Sequence, residues 1–134
     1  MKEIRLFLVD DEKQVREGLR MRLEMEPDFR VVGEAADPMT ALAAVPAAHP
    51  DVVLMDIQMP GGDGISTTAR LRAAAASCGI VIVSMQDDAA TRARAAAAGA
   101  DGFVGKHEID TALTDAIRSA AGRRRTSQHV ERPA

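Results

Sequence analysis

Five residues with chemical potential each stand at the end of a short apolar run. Asp10 and Asp11 follow Ile4–Val9, Asp56 follows Val52–Met55, Ser84 follows Ile80–Val83, and Lys106 follows the run at 102–105, 22 residues after Ser84. Three carboxylates held close together repel one another and raise each other's pKa unless a cation intervenes. A hard, oxygen-rich set of this kind suits Mg²⁺ (or Mn²⁺), which keeps several waters and takes one or two protein carboxylates. A carboxylate not needed for the metal is free to act as a nucleophile. An ammonium and a hydroxyl beside it complete an electrostatic setting for a phosphoryl group. The chemistry follows only if the fold brings the five positions together.

Apolar runs of four to six residues, bounded by turn residues, read as buried strands. Ile4–Val9 is the first, followed by a helix from Glu12 to Glu26 with Val15, Leu19 and Leu23 on one face. The run Arg30–Ala35 is the most polar and belongs near a sheet edge. Pro38 opens a helix to about Ala47, carried by Leu42 and Val45. Val52–Met55 enters a loop with Pro60, Gly61, Gly62 and Asp63 as turn residues, and a helix from Gly64 follows with Ile65, Ala69 and Ala73 on its face. Ile80–Val83 is β-branched throughout. Asp87 or Asp88 caps an alanine-rich helix that ends at Gly99. Gly102–Val104 is a short fifth strand, and the last helix runs from Ile109 to about Ala121 on Ile109, Leu113, Ile117 and Ala120. Residues 1–121 form one domain on this reading. Residues 122–134 are a polar, basic tail or a truncated linker with too little apolar content to fold alone.

Strand–helix alternation repeated five times implies a parallel sheet covered on both faces, with right-handed crossovers. The expected fold is a flavodoxin-like, doubly wound (βα)5 sandwich with strand order 2-1-3-4-5. Ligands bind outside the carboxyl edge of such sheets, where the order reverses and the first and third strands are neighbours. Asp10, Asp11, Asp56, Ser84 and Lys106 all fall on that edge.

Composition narrows the alternatives. The 134 residues fit one domain, 46% hydrophobic and 28% charged, with net charge −3. The tail holds four arginines against one glutamate, whereas the remainder holds 13 basic against 19 acidic residues, which is no footprint for nucleic acid. No Trp or Tyr is present, which argues against base stacking and against a flavin carrier. A single cysteine, Cys78, excludes a disulfide framework, and no apolar run approaches a membrane span of about 20 residues. The N-terminus enters a strand at once and is no signal peptide, so the cytoplasm is the expected location.

The segments Val-Asp-Asp (9–11), Met-Asp-Ile-Gln-Met-Pro-Gly-Gly-Asp-Gly (55–64), Val-Ser-Met (83–85) and Gly-Phe-Val-Gly-Lys (102–106) resemble the receiver domain of two-component response regulators. The resemblance spans residues 4 to about 121 and is greatest to receivers of NarL/LuxR-type transcription regulators. It implies that Asp56 accepts a phosphoryl group from a sensor histidine kinase. It implies that Asp10, Asp11 and Asp56, with the Gln58 backbone carbonyl, hold Mg²⁺. Ser84 and Lys106 would contact the phosphoryl group, and Phe103 would be an aromatic switch. Activation by homodimer formation, and DNA binding through an output domain outside these residues, are implied in the same way. Two departures stand out: His107 replaces the proline that often follows the lysine, and Met85 replaces a smaller residue.

Each residue also has an ordinary role taken singly. Asp10 and Asp11 suit a helix N-terminus, Asp63 a turn, and Lys106 a solvated surface. Phe103 and Cys78 suit a core. His49, His107 and His129 share no metal-like spacing, and Arg123–Arg125 suit the end of a helix. A receiver acting alone by protein contact, and a Mg²⁺-dependent phosphohydrolase, are the competing functions. The second lacks an Asp-x-Asp pair at Asp56-Ile57-Gln58 and any cap for substrate.

Overall fold

A computed structural model of the chain describes residues 2–74 and 76–131, with side chains to residue 124. The main-chain elements are β1 (Ile4–Val9), α1 (Lys13–Leu23), β2 (Phe29–Ala35), α2 (Pro38–Ala48) and β3 (Val52–Met55). A short antiparallel hairpin follows, β4 (Gln58–Met59) and β5 (Gly62–Asp63). Then come α3 (Gly64–Ala73), β6 (Gly79–Ser84), α4 (Ala89–Ala98), β7 (Gly102–Gly105) and α5 (Ile109–Glu131). Five strands form a parallel sheet in the order β2-β1-β3-β6-β7. With the hairpin set aside, this is the expected 2-1-3-4-5 order, with the polar strand at an edge.

Alternate residues of each strand feed two apolar layers, as the two-residue period of a strand requires. Leu6, Leu8, Val52, Leu54, Val81 and Val83 pack with Leu19 and Leu23 of α1 and Leu113 and Ile117 of α5. Phe7, Val53, Met55, Ile80 and Ile82 pack with α2, α3 and α4. Central strands buried on both faces explain why their sequences are apolar runs rather than alternations.

Helix starts follow side-chain capping. Asp37, Asp63 and Asp88 each accept a hydrogen bond from the backbone N–H three residues on, at Thr40, Ser66 and Thr91, with lengths of 2.8, 2.8 and 2.9 Å. Asp63 is thus structural, as expected. Gly99 ends α4 in a left-handed conformation (φ 109°).

Two expectations are overturned. The buried face of α3 is Ile65, Thr67, Thr68 and Leu71; Ala69 and Ala73 are exposed. Thr67 and Thr68 bury because their hydroxyls donate to Asp63 O (2.8 Å) and Gly64 O (2.7 Å), so the polar atoms are satisfied within the helix. The last helix does not end near Ala121 but runs on to Glu131. Arg123 donates to Asp101 O (3.0 Å), and Arg124 pairs with the Asp101 carboxylate (2.8 Å), which anchors the helix beyond Gly122. These two arginines therefore hold a neighbouring loop and are not complements of a helix end. The side chains of Arg125 and His129 lie outside the described residues.

Asp101 is a node at the edge of the sheet opposite the carboxyl ends. Its carboxylate accepts from Arg72 Nη2 (2.7 Å), Arg124 Nε (3.1 Å) and Ile80 N (2.9 Å). Arg72 reaches further to the carbonyls of Ala76 (3.0 Å), Cys78 (2.5 Å) and Gly99 (3.0 Å). The network joins α3, the turn before β6, the end of α4 and α5. Earlier on α5, Arg118 binds Asp28 and Glu26 and lies over the Phe29 ring, 4.7 Å from its centre.

Candidate functional site

The carboxyl edge of the sheet brings together the residues singled out in the sequence. Asp10 follows β1, its N–H bonded to Ala35 O (3.1 Å) of β2. Asp56 follows β3, its N–H bonded to Val9 O (2.9 Å) of β1. These two bonds fix the two carboxylates on adjacent strands at the switch point. Asp10 and Asp56 are buried and Asp11 is exposed, and carboxylate oxygens of all three lie within 4.8 Å of one another. Lys106 Nζ sits 3.3 Å from Asp10 Oδ2 and 3.6 Å from Asp56 Oδ1. The other Asp10 oxygen, Oδ1, accepts from Glu12 N (2.9 Å) at the start of α1. The helix-cap role read for Asp10 and Asp11 is not what the structure shows: Glu12 is the residue just before α1 and no side chain caps the helix, while Asp10 Oδ1 closes a turn onto the Glu12 N–H and Oδ2 faces Lys106.

A cleft of about 460 Å³ opens over this group. Asp11, Asp56, Gln58, Ser84, Met85 and Lys106 are among the residues that line it. Ser84 is buried at the end of β6, and its Oγ accepts from Gln86 N (3.0 Å), leaving the hydroxyl proton to be donated elsewhere. Gln58 begins the β4–β5 hairpin, which carries the chain out of the cleft before Gly64 N returns to bond Ile57 O (2.7 Å). Met85, 76% exposed, stands at the rim. The Lys106–His107 peptide is trans.

Electrostatics mark Asp56 as the strained member. Burial, reinforced by the Asp10 charge, raises its pKa from 3.8 to about 6, although Lys106 and the Ile57 N–H pull it down. For Lys106, burial alone would lower the pKa; the facing Asp56 and Asp10 carboxylates outweigh it, and the net shift is upward. The ammonium is therefore charged at neutral pH. One cation faces three carboxylates, so the cleft retains negative charge, which a divalent ion would offset. The donor set is all hard oxygen, which fits Mg²⁺ or Mn²⁺ and not a soft metal.

Phe103, the expected switch, lies outside the cleft. It is half-buried on β7, packed against the α2–α3–α4 layer, with the Arg92 guanidinium 4.7 Å from its ring centre. Sequence reasoning did not single out Arg92. Its partners come from three separate segments, at Asp87, Phe103 and Glu108, so no local pattern announces it.

Fold and cleft together define a doubly wound α/β domain with a carboxylate and lysine centre at its switch point. The family model for the response regulator receiver domain matches residues 6–118, and the chain belongs to that family. The transcriptional regulatory protein YxjL of Bacillus subtilis is 38% identical over 119 residues, 89% of this chain and 55% of that protein. The DNA-binding transcriptional activator DevR/DosR of Mycobacterium tuberculosis is 36% identical over 121 residues, 90% of this chain and 56% of that protein. The chain thus spans about half the length of the curated relatives it matches. Among solved structures, the receiver domain of NarL from M. tuberculosis superposes with TM-score 0.80 at 31% identity, covering 93% of this chain and 98% of that one. The receivers most similar in sequence are thus of the NarL/LuxR type, with transcription regulators among them. No helix among the described residues is long and apolar enough to cross a membrane.

Proposed function

We propose that the chain is a phosphoacceptor module whose Asp56 takes a phosphoryl group from a sensor histidine kinase. The observation that carries this reading is Asp56 itself. It is buried in a solvent-open cleft, with Asp10 and Asp11 on one side and the Lys106 ammonium 3.6 Å away on the other. Asp10, Asp11, Asp56 and the Gln58 carbonyl would hold Mg²⁺ (or Mn²⁺), which supplies charge to neutralise the phosphoryl oxygens when bound. An Asp56 carboxylate oxygen forms the new O–P bond as the P–N bond of the phosphohistidine breaks, and the imidazole leaves with the electron pair. Lys106 then pairs with a phosphoryl oxygen, and the Ser84 hydroxyl donates to another. Movement of Ser84 toward the phosphoryl group carries the loop after β6 with it, and Phe103 repositions in turn. Switching of this kind is a population shift between two packings. Gln58 and Met85, at the cleft, set the rate at which water removes the phosphoryl group.

On this reading the chain takes part in its own phosphorylation and dephosphorylation but is no turnover enzyme. It works in the cytoplasm. Residues 1–121 are the receiver, and residues 122–134 lead towards an output domain through which DNA is bound, with a homodimer formed on activation. The relatives described in their names as transcriptional regulators support this output.

Incubation with a small phosphodonor, followed by intact mass measurement, tests the assignment. One phosphoryl group is expected, dependent on Mg²⁺ and absent from Asp56→Asn. Labelling of that variant at the wild-type level would sink the assignment.

A further inference from the structure

Arg92, in the first turn of α4, touches every part of the molecule that the proposed switch has to move. Its Nε donates to Asp87 O (3.0 Å), in the loop that follows Ser84. Its Nη2 pairs with Glu108 Oε1 (3.3 Å), just after Lys106, and lies 3.9 Å from Asp87 Oδ2. Its Nη1 donates to Phe103 O (3.4 Å), and the guanidinium plane covers the Phe103 ring at 4.7 Å. Glu108 Oε1 also accepts from Gly105 N (3.2 Å). His107 Nε2, 3.5 Å from Asp87 Oδ2, closes the group from the outer side.

We infer that Arg92 is a positioning residue that holds Phe103 and the loop after Ser84 in the resting packing and so sets how readily phosphorylation switches the domain. This rests on the phosphoacceptor reading above. The physical case is one of connectivity. Ser84 and Lys106 contact the phosphoryl group from separate strands, and Asp87 and Glu108 lie a few residues beyond each. Arg92 holds the Asp87 carbonyl through Nε and the Glu108 carboxylate through Nη2 with one planar fork, and a lysine in its place has no such fork. Movement of either loop, or of the ring, has to break a contact to the same guanidinium. The clamp therefore favours the unphosphorylated state, and phosphoryl binding works against it. An exposed cation–π contact is worth about twofold to fivefold in an equilibrium constant, and the ion pairs at this half-exposed site add little.

The affinity of beryllofluoride with Mg²⁺, a mimic of the phosphoryl group, tests this in the whole chain. Wild type, Arg92→Gln, Phe103→Leu and the double variant are compared by calorimetry, with melting temperatures recorded alongside. Arg92→Gln is expected to bind beryllofluoride about twofold to fivefold more tightly, and the gain is expected to vanish in the Phe103→Leu background. A side chain with only a structural role would lower the melting temperature and leave the affinity unchanged or weaker. Wild-type binding with no gain in Arg92→Gln overturns the inference alone, as does a gain that persists without Phe103. Failure of the wild type to bind beryllofluoride at all overturns the phosphoacceptor reading, and this inference with it.

Discussion

Asp56→Asn is expected to make the metal-free domain more stable at neutral pH, by up to about 3 kcal/mol. The folded domain holds the Asp56 proton up to about pH 6, whereas an unfolded chain releases it near 3.8. Between those values the folded state binds more protons than the unfolded one, so stability falls as pH rises. The cost is absent below about pH 3.8 and fully present above about pH 6. Asparagine has nearly the same shape and no charge, so it removes the cost. Its advantage should be negligible in acid, grow through that window and level off above it. Mg²⁺ should stabilise the wild type by binding the folded state and close much of the gap. Urea titrations at pH 4 and pH 7.5, with and without Mg²⁺, give all four values. A variant no more stable than wild type at pH 7.5 without metal would show that the Asp56 charge carries no penalty.

Gly64→Ala is expected to cost about 3 kcal/mol or more and to disable the site with it. A methyl group on Gly64 would overlap the Asp56 carbonyl oxygen and lie 2.8 Å from Met55 Cγ. The neighbour is main chain at the acceptor residue itself and cannot swing aside as a side-chain tip can. The clash could be relieved only by moving Asp56 or by opening the Gly64–Ile57 hydrogen bond that closes the loop (2.7 Å). Gly61, by contrast, faces open space, although its φ of 85° calls for glycine on conformational grounds. The unfolding midpoint of Gly64→Ala decides the matter. A loss below about 0.5 kcal/mol, within the range of ordinary surface changes, would mean that the chain does not pass this close to Asp56.

The site was legible in the sequence to the extent that it sits on strand ends. Strands buried on both faces must be apolar throughout, so their last residues are easy to find, and a parallel sheet puts those residues on one edge. Asp10, Asp11, Asp56, Ser84 and Lys106 followed from that argument. What escaped it depends on side chains finding partners. Thr67 and Thr68 bury through hydrogen bonds to their own helix, which a hydrophobic period does not register. Arg72 and Arg124 meet at Asp101 from distant segments, and with that anchor invisible the end of α5 was misread. Arg92 was overlooked for the same reason. The β4–β5 hairpin is too short to show any period.

The Asp101 network gives the molecule a built-in reporter. Cys78, the only thiol in the chain, is buried at the end of the sheet away from Asp56, and Arg72 fastens its carbonyl. Burial pushes the thiol pKa up, so the reactive thiolate is scarce while the domain is closed. Cys78 also lines a cavity of about 440 Å³ with Val45, Pro50 and Leu71, so its alkylation rate reads how open this edge of the domain is. Labelling can therefore follow how phosphorylation is felt at the remote edge, with no probe introduced and the acceptor pocket left untouched.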